Sequence, residues 1–401
     1  MPPVATCASR RRRPLSSPLA VLLLGVAAAL RVHAAALAWT IEITPDGELF
    51  PVLDLSQRLP KSAAAPGGGN GLVIVRVHGD DTPRHLRLEV STPGLRASAL
   101  VEADIERRGT VELRPRLDWD IGYLRALRAP SHQPLHVSLA SSGMHAETRT
   151  VDVRVHPLDD ALYFVREGKD RIDLGWVFAA YVNPQDPVVD EIATDAREID
   201  EDFDRPATSA DDRLSRVLSI WAALVRHGLR YAAGDPALSR GPAIYSQRVR
   251  LLGDVWRERR ANCLDGSVLI ASVLERIGIP AFIALVPGHA FVGYRADAAH
   301  VEFLETTLLG EETRSHEAPV GEDDTFAVAA NFEAARDAGR ERWRRVSSRF
   351  EHRHGPDYAL IDIGAARSYG IIPFGPHGDG GQGGERTDPT AAGLPPENSP
   401  P

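Results

Sequence analysis

The chain has 401 residues, 43% hydrophobic and 25% charged, an ordinary balance for a globular protein with a core. That balance excludes wholesale disorder and a multi-span membrane protein, and the length accommodates two or three domains. The formal charge of −9 argues against a general nucleic-acid binder, because phosphate backbones demand a basic surface. Only Lys61 and Lys169 are lysines, so arginine supplies the other 44 basic side chains. With the abundant alanine, this reads as base composition rather than chemistry.

Residues 1–34 have the layout of a secretory signal peptide. Arg10, Arg11, Arg12 and Arg13 are followed by an apolar run over 19–30 and then by small residues up to Ala38. The run is about a dozen residues, short of the roughly 20 that span a bilayer. The expectation is export, to the periplasm or the medium, with no stable membrane insertion after cleavage. An uncleaved anchor is the alternative. Cleavage after Ala34 removes five arginines and no acid, turning −9 into −14, and it removes Cys7. Cys263 is then the one cysteine, with no intrachain disulfide available. A lone cysteine in an exported protein is a buried bystander or a working thiol.

Residues 39–157 have a period of two. Leu86, Leu88 and Val90 alternate with His85, Arg87 and Glu89; Val151, Val153 and Val155 alternate with Asp152 and Arg154. Val73, Val75 and Val77 mark another strand, and Leu135, Val137 and Leu139 a further one. One polar and one apolar face per strand, with turn-rich stretches such as 65–71 between them, predict an antiparallel β-sandwich domain. Its histidines are scattered and read as surface residues.

After Asp159 the pattern becomes α+β, a second domain over 160–370. Residues 186–204 read as an acidic helix. Ser209, with Asp212 three residues on, opens another that carries Leu214, Val217, Trp221 and Leu224 and ends at Gly228. A third starts near Cys263 and stops at Gly278. Three strand-like runs follow, 280–286, 289–294 and 301–306, then a helix over 332–346 and a strand over 358–363. From 375 to 401 the chain is Gly, Pro and polar residues, too poor in apolar surface to offset ordering entropy, and is read as a disordered tail.

Three sites within this second half carry chemistry. Asn262-Cys263-Leu264-Asp265-Gly266 opens a helix, where free N–H groups and the positive end of the dipole favour a thiolate nucleophile. Gly288-His289-Ala290-Phe291 opens a strand. Glu305-Thr306-Thr307 closes the next. If those two strands pair about Asp297, facing residues sum to 594, and His289 lies directly across from Glu305. Opposed residues have Cβ atoms about 5 Å apart, close enough for the carboxylate to hold the imidazole. Phe291 and Phe303 share that face, and Glu302 points the other way. Thiol, histidine and acid form a nucleophile–base–orienter set.

These stretches, with the Gly278-Ile279-Pro280 helix exit and Phe303-Leu304 before the acid, resemble the transglutaminase-like superfamily over roughly residues 210–310. The resemblance implies a papain-like core with Cys, His and Asp in this chain order, found in transglutaminases, cysteine proteases and amidases. It assigns Cys263 as nucleophile, His289 as base and Glu305 as acid. Glu305 stands where the family usually has Asp, and Phe291 where Trp is common.

The backbone N–H of Cys263 is a natural candidate for the oxyanion donor, since a helix start offers free donors. Gln247 is a candidate second donor and otherwise a loop glutamine. Trp256 either walls the cleft or belongs to the core. Asp265 complements the helix dipole. No cofactor is expected: His352 and His354 lack further ligands for zinc, and the acids Asp200, Glu201, Asp202 and Asp204, which could hold calcium, read as a solvated helix face. The expected function is cysteine-dependent acyl transfer on an amide of a protein or peptide, by default hydrolysis as a protease or amidase. The alternative is an inactive transglutaminase-like binding or scaffold protein of the cell envelope.

Overall fold

The computed structural model describes residues 37–57, 72–233, 243–311, 325–350 and 357–374. The expected signal peptide, the turn at 65–71, the His352/His354 pair and the tail from 375 lie outside these residues.

The first part runs β1 (Ala38–Ile43), β2 (Glu48–Leu49), α1 (Pro51–Leu55), β3 (Val73–His78), β4 (Arg84–Ser91), β5 (Ala99–Ile105), β6 (Thr110–Leu113), α2 (Ile121–Ala126), β7 (Ser131–Ser141) and β8 (Glu147–Val155). Three of these strands form a sheet ordered β1-β3-β6, and five form a sheet ordered β2-β8-β7-β4-β5. All pairs are antiparallel except β2 with β8. The period of two works as the pleat requires: Leu86, Leu88 and Val90 are buried, while His85, Arg87 and Glu89 are exposed. Val75 and Val77 from the smaller sheet and Leu88 and Val137 from the larger are fully buried in the same apolar core.

One histidine of this half departs from the surface expectation. His156 is fully buried, stacked on Phe50 with ring centroids 3.7 Å apart. Its Nδ1 lies 2.6 Å from Asp160 Oδ2 and its Nε2 2.5 Å from Glu48 Oε2. Two carboxylates give both ring nitrogens partners, and that satisfaction is what permits a polar ring in the core.

The second part runs β9 (Asp160–Glu167), β10 (Asp170–Asp173), α3 (Val177–Tyr181), α4 (Pro187–Ile199), α5 (Ala210–Arg226), β11 (Arg230–Tyr231), β12 (Ile244–Arg248), α6 (Leu252–Glu258), β13 (Arg260–Ala261) and α7 (Cys263–Arg276). It continues with β14 (Ala281–Val286), β15 (His289–Arg295), β16 (Val301–Leu304), a 3-10 turn (Thr306–Leu308), α8 (Thr325–Phe350), β17 (Ala359–Asp362) and α9 (Ile363–Tyr369). The whole is a mixed α+β structure with several sheets. The sheet ordered β16-β15-β14-β17 is antiparallel throughout.

That sheet is buried on both faces, which is why β14 is apolar without alternation. Ile283, Leu285, Ala290 and Val292 face the core shared with α7. Ala284, Val286, Phe291 and Phe303 face a second cluster closed by Trp343, Val346 and Phe350 of α8. Each large aliphatic side chain buried in this way contributes about 1.5–3 kcal/mol. Helix α5 starts where Ser209 and Asp212 predict, with both halves of the capping box formed. Helix α8 is longer than the run 332–346, reaching Phe350.

The acids after α4 are engaged with arginines: Asp200 with Arg216, Asp202 with Arg205, and Asp204 with Arg197 at 2.6 Å. Among the described residues no group of three or more His, Cys, Asp or Glu is arranged to hold a metal ion, and no helix is long and apolar enough to cross a membrane.

Candidate active site

Cys263 is the first residue of α7 and is partly exposed. The five residues around it explain its placement. Asn262 is the N-cap: its Oδ1 accepts from Leu264 N at 2.9 Å and Asp265 N at 2.8 Å. Asp265 Oδ2 accepts in return from Asn262 N at 3.2 Å, completing a capping box. The cap occupies two of the helix's free amides. The N–H of Cys263 is left without an acceptor among the described residues.

Asp265 does more than complement the dipole. It is buried, and its two oxygens accept from Arg250 N and Arg250 Nε, both at 2.9 Å. Burial pushes its carboxyl up, against the opposing pull of Arg250 and the backbone donors. Gly266 lies where α7 meets the turn after β16. A Cβ there would stand 3.2 Å from Thr306 Cβ, tighter than ordinary contact. Thr306 Oγ1 also donates to Cys263 O at 3.0 Å, which ties the start of α7 to the residue after Glu305.

His289 begins β15, and Glu305 follows β16. The register differs from expectation: Val292 faces Leu304 and Gly293 faces Phe303, so facing residues sum to 596 rather than 594. The hairpin closes one residue later, with Asp297 Oδ1 accepting from Ala299 N and His300 N. Glu305 is therefore diagonal to His289 rather than opposite it. A shift of two preserves the face, and diagonal neighbours remain within reach of long side chains. The glutamate spans the extra distance: both Oε1 and Oε2 lie 2.9 Å from His289 Nε2. The same diagonal brings Phe291 and Phe303 edge to face at 5.4 Å, with Phe303 lying over Gly293.

The Cys263 side chain acts on the same imidazole, raising its proton affinity. With Nε2 on Glu305, Nδ1 is the nitrogen left for the thiol. Burial alone would lower the imidazole's proton affinity, but the hydrogen bonds and charges of Cys263 and Glu305 outweigh it and push the pKa up to about 9. Burial acts upward on Glu305. The hydrogen bond and charge of His289, then Arg342 and Thr307, hold its carboxyl below the usual glutamate range.

Tyr231, on β11, was not legible as a site residue. Its strand pairs in parallel with β13, so Tyr231 faces Ala261 and its N–H donates to Leu309 O at 3.1 Å. Burial first, then the charges of Cys263 and Glu305, raise its phenol. Only tertiary contact reveals it, since a two-residue strand 32 positions before the cysteine has no local signature.

Gln247 and Trp256 have partners of their own. Gln247 sits in β12 opposite Ala161, its Nε2 donating to Arg248 O at 3.3 Å. Trp256 is buried in α6, stacked on His227 at 3.3 Å, with its indole N–H on Glu191 Oε2 at 2.7 Å. Glu302 points away and pairs with Arg340 at 2.6 Å.

No model of a known protein family matches the chain, and no curated protein matches it. Among solved structures it is similar to red sea bream transglutaminase, at 11% identity and a TM-score of 0.21. The alignment covers 62% of this chain and 50% of that one, so the chain spans about half the length of that structure.

Proposed function

We propose that this is an exported cysteine-dependent acyl transferase on amide bonds, acting by default as a protease or amidase. In this reading a β-sandwich over residues 39–157 precedes a transglutaminase-like domain over 160–370. The observation that carries it is the hold of a buried Glu305 on His289 at 2.9 Å, in a site where Cys263 at the start of α7 acts on the same imidazole.

His289 takes the thiol proton as the Cys263 sulfur attacks the amide carbonyl, forming an S–C bond and moving the C=O π pair onto oxygen in a tetrahedral intermediate. The Cys263 N–H, without an acceptor among the described residues, is the donor placed to receive that charge. His289, as imidazolium, gives its proton to the departing nitrogen, and the C–N bond breaks. Neutral His289 then takes a proton from water as the water oxygen attacks the thioester; the C–S bond breaks, a carboxylic acid leaves, and His289 returns the proton to the sulfur. An amine in place of water would make the same site a transamidase. Glu305 orients His289 and stabilises its charged form.

The test is the rate of Cys263 alkylation against pH in the mature chain, with and without His289→Ala. A thiol activated by the imidazole should react at least about tenfold faster near neutral pH than the same thiol without it. Alkylation indifferent to His289 would overturn the reading and leave the inactive binding scaffold.

A further inference from the structure

We propose that Arg342 is a positioning residue for this site: reaching from α8, it keeps Glu305 anionic and facing His289 in both protonation states of the imidazole. The proposal deepens the acyl-transfer reading and rests on it for its mechanistic meaning.

Glu305 is 3% exposed. Its Oε1 accepts from Thr307 Oγ1 at 2.9 Å, and its Oε2 accepts from Arg342 Nε at 2.7 Å, while both oxygens face His289 Nε2. Its backbone N–H donates to Ala335 O at 3.0 Å, two helical turns before Arg342. Helix α8 therefore clasps the acid by main chain and side chain together. Arg345 of α8 makes a surface pair with Glu341. Arg342 ends instead on a carboxylate whose side chain is 4% exposed.

The chemistry needs such a charge. While His289 is imidazolium, Glu305 has a cationic partner. Once His289 has passed its proton to the leaving nitrogen, that partner is neutral, and a buried carboxylate without an opposite charge tends to take up a proton. A protonated Glu305 would donate to Nε2 and drive the remaining imidazole hydrogen onto Nδ1, the nitrogen that must accept from water. Arg342 blocks this. With Glu305 held anionic, neutral His289 keeps its hydrogen on Nε2 and its lone pair on Nδ1. The titratable and charged groups that act on His289 and Glu305 are Cys263 from α7, Tyr231 from β11 and Arg342 from α8.

The experiment is an NMR titration of His289 in the full chain, its resonance assigned by loss in His289→Gln. Arg342→Gln removes a like charge behind Glu305 and should raise the His289 midpoint by about 1 unit. Arg342→Lys should restore it. Arg345→Gln, an equal loss of charge one turn on, should leave it unmoved. A midpoint unchanged in Arg342→Gln, or raised as much by Arg345→Gln, overturns the proposal. The titration uses unreacted protein and needs no turnover. Alkylation independent of His289 with a shifted midpoint therefore sinks the acyl-transfer reading alone. Alkylation dependent on His289 with an unmoved midpoint sinks the role of Arg342 alone.

Discussion

Gly339→Ala in α8 sets two known effects against each other. Alanine in a helix interior gains about 1 kcal/mol over glycine. Here, however, the new Cβ would stand 2.3 Å from Phe303 O, 2.5 Å from Phe303 C and 2.8 Å from Leu304 N. These are backbone atoms of β16, paired with β15, and they have no rotamer to change. Overpacking of this kind costs about 1–3 kcal/mol, and rigid backbone puts it at the upper end. The net expectation is a loss of about 1–2 kcal/mol, read from the midpoint of urea unfolding at unchanged slope. Gly253→Ala in α6 is the matched control, since a Cβ there meets nothing within 4 Å. It should be neutral or stabilising by a few tenths of a kcal/mol. If Gly339→Ala proves as stable as Gly253→Ala, α8 does not approach β16 as closely as described, and the docking that brings Arg342 to Glu305 fails with it.

Asn262→Ala removes both side-chain bonds that cap α7 and should cost about 1–2 kcal/mol in the same assay. A loss below about 0.3 kcal/mol would refute the cap. His289 gives a pH signature. Its folded pKa of about 9 lies above the usual 6.5, so its contribution is complete below pH 6.5 and is lost as pH rises through about 9. The stability difference between wild type and His289→Gln should therefore shrink by about 1–2 kcal/mol between pH 6 and pH 10, after allowance for screening by partial exposure. A difference that is flat over that range would show that His289 gains no charge-dependent partner on folding.

The site was legible where local rules act and illegible where partners come from afar. Asn262, Asp265 and Gly266 announce a helix start because capping and close approach depend on residues a few positions apart. His289 and Glu305 were readable as one face because pleating alternates side chains with a strict period of two. The hairpin register was not, since the length of the 297–299 turn decides it, and the difference of two positions explains why a long acid fits this place. Strand β9 lacks alternation because Leu162, Phe164 and Val165 are all buried, so burial on both faces erased the pattern.

Strand periodicity, the helix caps and the order Cys263, His289, Glu305 were thus determined by the sequence itself, because each rests on contacts within one element or between neighbouring ones. The tertiary structure alone decided that Tyr231 feels the charges of Cys263 and Glu305, that His156 is buried between Glu48 and Asp160, and that Arg342 reaches Glu305. Each of these joins residues from separate elements, and no local pattern encodes which distant surfaces will pack together.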